Sequence, residues 1–113
     1  MSESILISIK KLLGIAAEYD NFDQDIIMHI NSVFLILRQL GVGPEDGYRI
    51  EGETNTWTEF IEDAMYLDTV KSYIYLKVKQ LFDPPTNPTV TEANKQLMNE
   101  LEWRINADAE SKQ

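Results

Sequence analysis

Three aspartates, Asp20, Asp23 and Asp25, form the densest group of candidate metal ligands in the sequence. Carboxylate oxygens are the ligands that Ca2+ and Mg2+ prefer, so one hypothesis is an enzyme that works through these groups with a divalent metal. The group lacks the D-x-D-x-D-G order and the closing glutamate of a calcium-binding loop. Aspartates at a helix start also cap the helix and complement the positive end of its dipole. We therefore expect a helix N-terminus here, and no metal.

The only histidine of the chain, His29, has no recognisable catalytic partner. A catalytic histidine needs an orienting acid and a nucleophile or substrate within reach, and the sequence contains no serine elbow. The chain also has no cysteine, which excludes thiolate nucleophiles, cysteine zinc sites and disulfides. We expect His29 at a core boundary or an interface, and a protein that is not an enzyme.

Glycines cluster in residues 41–56, which hold Gly41, Gly43, Gly47 and Gly52. Their spacing does not match a phosphate-binding loop, because no Lys-Ser or Lys-Thr follows and no strand precedes them. A loop of sixteen residues is longer than usual, so it is either functional or flexible. No cofactor is expected. The same segment carries the acidic residues Glu45, Asp46, Glu51 and Glu53.

Composition and charge exclude several classes of protein. A length of 113 residues suits a single domain over 1–113, and a formal charge of −9 has the wrong sign for gripping DNA phosphates. An acidic surface can instead stand near nucleic acid without binding it. The longest central apolar run is five residues, far below the roughly 20 of a spanning helix. The acidic start of the chain is unlike a secretion signal.

Helical spacing of apolar residues, with helix caps and stops, predicts an all-α chain of about four to five helices. Ser2 or Ser4 caps a first helix that Gly14 ends, and a second of about 18 residues begins at Asp20-Asn21 and ends at Gly41. Thr56 and Glu59 form a capping box that begins a short third helix, "TWTEFIEDAM". The apolar stripe of the fourth, over residues 67–82, is Leu67, Val70, Ile74, Val78 and Leu81.

A stiff joint separates the fourth helix from a long last one. Asp83, Pro84, Pro85 and Pro88 lie in the joint, and the fourth helix must end before Pro84 because proline has no backbone N–H. Thr89 and Glu92 predict a second capping box. The apolar stripe of the last helix is then Val90, Leu97, Leu101 and Ile105, with Ala93 and Met98, and residues 106–113 are expected to fray.

Apolar residues outside these stripes are candidate interface residues. They are Met28 and Leu35 on the second helix, Tyr73 and Leu76 on the fourth, and Trp103 on the last. A tryptophan on a polar face indicates a binding partner. Arg104 beside it can pair with a carboxylate on another helix or subunit, although a solvated Glu–Arg surface is the simpler alternative.

The stretches "YIYLKVKQLFDPP" and "NELEWRI", together with the opening "IKKLLGI", resemble the small head-tail connector proteins of long-tailed bacteriophages. The resemblance spans nearly the whole chain. It implies a helical subunit that assembles as a ring, commonly of twelve copies, between the portal of the DNA-filled head and the tail-side stopper or head-completion proteins. Such a protein would be made in the host cytoplasm and reside in the neck of the virion, with DNA passing through a central channel.

The resemblance also implies roles for parts of this chain. Helices of adjacent subunits would pack laterally, and the proline joint with the helix of Trp103 and Arg104 would help dock to the portal. The loop of residues 41–56 would face the channel or a neighbouring ring. Because proline restricts the unfolded linker, the joint would hold the last helix at one repeatable angle. The alternative is a small helical interaction or regulatory module that binds one protein through the Trp103 face.

Overall fold

The structure, a computed structural model, describes residues 3–61 and 64–111. Five α-helices form this part of the chain: α1 (Ile5–Leu12), α2 (Asp23–Gln39), α3 (Trp57–Phe60), α4 (Ala64–Phe82) and α5 (Pro88–Ser111). The described residues contain no strand, only one isolated bridge between Ser4 and Thr56. The expected all-α fold, with a long glycine-rich loop and a long last helix, is confirmed.

Helix α1 begins and ends where local signals place its ends. The hydroxyl of Ser4 accepts a hydrogen bond from the backbone N–H three residues on, at 3.3 Å, and the alternative cap Ser2 lies outside the described residues. At the other end Gly14 has a φ of 83°, and the N–H of Ile15 donates to Lys10 O at 2.8 Å. This is a Schellman motif, which requires a residue that tolerates positive φ. The predicted stop at Gly14 is confirmed.

Helix α2 ends by the same device but begins differently from the prediction. Gly41 has a φ of 90°, and the N–H of Val42 donates to Leu37 O at 2.9 Å. The helix begins at Asp23, three residues after the expected start, and Phe22 at the N-cap forms no side-chain cap. Asp23 and Asp25 lie in the first turn, where their charges complement the dipole.

The joint between α4 and α5 also differs in detail from the prediction. Helix α4 ends at Phe82, before Pro84 as expected. Helix α5 begins at Pro88, and the side chain of Asn87 caps it by accepting from Thr89 N at 2.8 Å. The predicted cap at Thr89 is therefore wrong, because proline suits the first helical position and moves the helix start upstream.

The end of α5 was expected to fray over residues 106–113. The helix instead continues to Ser111, and Ala109 is only 5% exposed. The burial of Ala109 places that turn against the body, and fraying of the end stays a prediction. Residues 112 and 113 lie outside the described part of the chain.

The helices form a flat layer in which α4 lies between α2 and α5 and contacts both, while α1 packs on α2. The molecule measures 40 × 36 × 21 Å along its principal axes. One continuous core contains residues from all five helices and from the loop. Its fully buried members include Ile5, Ile9, Ile26, Ile30, Val33, Leu37, Ile50, Val70, Tyr73, Ile74, Val78 and Ile105. No helix in the described ranges has the length and apolar character needed to cross a bilayer.

The short helix α3 is held against α1. Thr56 N–H donates to the carboxylate of Glu59 at 3.0 Å, as the predicted capping box requires. Trp57 is buried, and its indole N–H donates to the hydroxyl of Ser8 at 3.1 Å. The predicted third helix extended beyond Phe60, but the described helix ends there, and residues 62–63 lie outside the described part.

The glycine-rich segment, residues 41–56, is fixed on the core by its own side chains. Val42 and Ile50 are buried, and the amide of Asn31 on α2 bonds both the N–H and the C=O of Ile50, at 2.8 and 3.0 Å. Gly43 is required by close approach, because a Cβ there would lie 2.6 Å from a ring carbon of Phe60. The segment therefore has a defined path across α2.

Candidate functional site

Of the three aspartates considered as metal ligands, Asp23 has a basic partner inside the chain. Asp23 pairs with Lys10 at 2.8 Å, and Lys10 is only 1% exposed and also donates to Ala17 O at 3.0 Å. Within residues 3–61 and 64–111, no group of three histidine or acidic side chains is placed to hold a metal ion. Asp23 thus ties the start of α2 to the end of α1.

The burial of Lys10 was not predicted from the sequence. The signal that could have revealed it is position: Lys10 follows the buried Leu6 by four residues and so lies on the apolar side of α1. A lysine on that side must find a partner, since an unpaired buried charge is strongly unfavourable.

An open groove runs along the outer face of α2. Met28 and Leu35, two helical turns apart, are 58% and 64% exposed on the side of α2 that faces away from the core. Residues 46–49 of the loop form the opposite wall, with Tyr48 packed edge-on against Phe34. The groove has a volume of about 720 Å3. The prediction that α2 has a second apolar face therefore has a geometric counterpart.

The charged lining of this groove stands out in an acidic chain. Arg38 and Arg49 both line it, and neither has a carboxylate within 4 Å among the described residues. By contrast, Lys10, Lys71, Lys77, Lys79 and Arg104 all have acidic partners, and the unpaired Lys11 and Lys95 lie outside the groove. Asp25 and Asp46 also line the groove. The groove therefore offers two unpaired guanidinium groups together with apolar surface.

Trp103 lies on the outer face of α5. Its side chain is 72% exposed, whereas Ile105, two residues on, is fully buried. Arg104 donates to Glu100 on its own helix at 2.8 Å, and both side chains are more than half exposed. The hypothesis that Arg104 pairs with another helix is therefore wrong within this chain, since the carboxylate one turn before it is closer. Glu102 lies 3.9 Å from Lys77 of α4.

Tyr73 does not belong to an exposed face. It was predicted to point away from the core, but it is fully buried because α4 is covered on two sides, by α2 and by α5. Burial raises the pKa of Tyr73, and the nearby charge of Glu102 adds to this effect. Its neighbour Leu76 is half-buried and lines a small cleft with Pro84 and Pro85.

Three large residues expected in the core stripes are in fact exposed, and so is Ala93. The three are Leu81 at the end of α4, at 51%, and Val90 and Leu97 on α5, both at 44%. The covered arc of α5 instead centres on Met98, Ile105 and Ala109. The stripe was therefore placed correctly near Ile105 but was wrong at Val90 and Leu97.

Hydrogen bonds tie the proline joint to the helices on each side. Asp83 pairs with Lys79 on α4 at 3.1 Å. On the other side, the hydroxyl of Thr91 lies 3.1 Å from the backbone oxygen of Pro85 and 3.1 Å from that of Asn87. Pro84 and Pro88 are exposed. The exposed prolines thus act on the backbone path between α4 and α5 and contribute little to packing.

The acidic side chains of residues 41–56 all face solvent. Glu45, Asp46, Glu51 and Glu53 are exposed, while the apolar side chains of the same segment point inward. His29, half-buried on α2, lies beside Phe82, with ring centroids 6.4 Å apart. This agrees with the boundary position that was expected for the histidine.

Tyr48 links the loop to α3. Its hydroxyl donates to the carboxylate of Glu59 at 2.9 Å. Partial burial, and then this hydrogen bond, raise the pKa of Tyr48 to about 12. The N–H of Thr56 and then the Tyr48 hydroxyl lower the pKa of Glu59. This contact fixes the wall of the groove.

Comparison with known proteins identifies the family of this chain. A family model described as phage connector protein matches residues 5–112. No curated protein and no solved structure gave a match. The matched range includes all five helices, the groove on α2, the proline joint and Trp103. The chain therefore belongs to the phage connector protein family.

Proposed function

We propose that this connector protein forms a ring adaptor between the portal and the tail-side proteins of the virion, around an open channel for the genome. The observation that carries the proposal is the pair of unlike, exposed apolar surfaces on two different helices, α2 and α5. One is the α2 groove with Met28 and Leu35, and the other is the face of α5 that carries Trp103.

Two unlike surfaces on one chain suit a ring better than a closed pair. A head-to-tail contact between unlike surfaces repeats from copy to copy, and it closes when the rotation per subunit is right. Burying most of a tryptophan side chain contributes roughly 3–4 kcal/mol before the entropic cost of association. Exposure of that size in a small acidic chain supports a role in assembly.

The proline joint supports docking at one defined angle. Pro84, Pro85 and Pro88 restrict the backbone between α4 and α5, and hydrogen bonds of Thr91 and Asn87 hold the first turn of α5 to the joint. A restricted joint loses less entropy when its helix is fixed against another protein. We assign portal docking to the joint and the first turn of α5, which leaves the turn of Trp103 for a neighbouring copy.

Exposed carboxylates of residues 41–56 support a wall that repels DNA. Glu45, Asp46, Glu51 and Glu53 lie within nine residues of one another and face solvent. A ring of such groups would raise a negative potential that keeps a phosphate backbone from binding. We propose that this segment faces the channel.

The test is the composition of purified tailed particles. We expect this chain in them in several copies per portal, and we expect it to copurify with the portal when the two are expressed together. If purified particles lack the chain, the adaptor function is wrong. Binding to one non-virion protein through the Trp103 face would then favour the regulatory alternative.

A further inference from the structure

We infer that the Trp103 face of one copy binds in the α2 groove of the next copy. Trp103 and the adjacent turn of α5 would contact Met28 and Leu35, with Arg38 and Arg49 beside them. This inference rests on the proposed ring function and names the two surfaces that would join its subunits.

The positions of the two surfaces allow the same contact to repeat. Helix α4 lies between α2 and α5, and both Leu35 and Trp103 lie on faces directed away from the core. One copy can therefore use its groove and its tryptophan at the same time, with different neighbours. A tryptophan that met its own symmetry mate would instead close a dimer and leave the groove empty.

The size of the groove matches a turn of helix. One turn, about 5.4 Å long and 10–12 Å wide with its side chains, occupies roughly 400–600 Å3. The groove has about 720 Å3, which is enough for the turn of α5 that carries Trp103. A tryptophan side chain alone would leave much of the groove unfilled.

Charge favours this pairing of surfaces over others. Two copies with a formal charge of −9 each repel, so a contact between them needs basic groups that are not already paired. Among the described residues, Arg38, Arg49, Lys11 and Lys95 have no acidic partner, and of these four the two arginines line the groove. The Trp103 face offers these arginines the carboxylate of Glu100, which is more than half exposed.

The complete lack of cysteine makes a direct test practical. Ser32→Cys places a thiol in the groove, and Ala107→Cys places one on the exposed face one turn beyond Trp103. A short bis-maleimide is applied to full-length chains in tailed particles and to the concentrated purified chain. The double variant should give a ladder of many covalently joined copies, because each copy then links two neighbours. Each single variant should give no product larger than a pair.

Loss of the tryptophan gives the quantitative test. Trp103→Ala in the double-cysteine chain should remove the ladder, and in the natural chain it should weaken self-association about thirtyfold, as expected for a central aromatic anchor. Leu97→Ala is the matched control, since Leu97 is also an exposed apolar residue of α5 but lies on a different face. We expect it to change self-association less than about twofold.

The outcomes separate this inference from the proposed function. Particles that contain the chain but yield no ladder would overturn the contact and leave the adaptor function standing. A ladder that survives Trp103→Ala would also overturn it. If the chain is absent from particles, the adaptor function fails, and crosslinking of the concentrated purified chain then decides the contact by itself.

Discussion

Lys10 shows how one residue can connect two helices without any role in binding. Its ammonium group lies at 1% exposure between the carboxylate of Asp23 and the carbonyl of Ala17. Taking two charges out of water is unfavourable, so such a pair stabilises the fold only as long as both partners remain. The ion pair fixes the connection between α1 and α2, and with it the start of the helix that carries the groove.

Replacing Lys10 by methionine should destabilise the fold by about 3 kcal/mol, because Asp23 then keeps its charge in a partly buried position without a partner. The free energy of unfolding in urea measures the effect. Lys11→Met is the control, since Lys11 is the next residue and is exposed, and it should change stability by less than about 0.5 kcal/mol. Equal effects of the two substitutions would show that the ion pair is not stabilising.

Because the pKa of Tyr48 is raised in the folded chain, we predict a loss of stability at high pH. Its pKa is about 12 in the folded chain and 10.0 in the ordinary reference state, so between these values the unfolded chain has lost the proton while the folded chain keeps it. Stability therefore falls as pH rises through this range. Tyr48→Phe should make the fall between pH 10 and 12 less steep, as measured by thermal melting. An unchanged slope would mean that the hydroxyl of Tyr48 titrates normally.

At the level of elements, helix ends could be predicted from sequence because their signals are local. Gly14 and Gly41 end α1 and α2 through positive φ, and Pro84 limits α4. The start of α5 was misjudged because two local signals competed, and the Asn87-Pro88 pair prevailed over the Thr-Glu capping box. Where a helix stops is thus encoded within a few residues of the stop.

Burial was harder to predict than helix ends, because it depends on which elements cover a helix. Tyr73 was expected on an exposed face of α4 but is fully buried. The reason is that α5 covers a second face of α4, beyond the face that carries the predicted apolar stripe. The clamp of Asn31 on Ile50 joins residues 19 positions apart, and no spacing rule reveals it. The exposure of Met28 and Leu35 could be predicted from their spacing on α2. The groove could not, because its other wall comes from loop residues that no spacing rule places beside α2.

We predict that substitutions in the joint between α4 and α5 affect particle assembly more than the stability of the isolated chain. Replacing Pro84 and Pro85 by alanine should reduce the yield of tailed particles severalfold, while the thermal midpoint of the isolated chain changes by only a few degrees. The reason is that alanine widens the set of unfolded linker conformations without removing a buried contact. Thr86→Ala, an exposed change in the same joint, is the control. An unchanged particle yield would count against a fixed docking angle.

At the scale of the whole molecule, exposed apolar side chains and exposed carboxylates lie on different elements. Apolar side chains are exposed on α2 and α5, while the loop of residues 41–56 carries exposed carboxylates. A ring that joins α2 of one copy to α5 of the next would still leave Glu45, Glu51 and Glu53 in solvent, facing either the channel or the outside. The direction of the loop therefore decides whether its acidity acts on DNA.

The effect of the loop charges on genome passage tests that direction. Amide replacement at Glu45, Glu51 and Glu53 should leave folding and particle assembly intact, because all three side chains are exposed and none lines the α2 groove. We expect slower DNA ejection in vitro, most clearly at low salt, since a less negative wall lets the phosphate backbone linger. The matched control replaces Glu18, Asp20 and Asp68, which are also exposed and remove the same charge elsewhere. The two variants have the same net charge and differ only in where charge was removed. If both eject DNA at the same rate, the loop therefore does not line the channel.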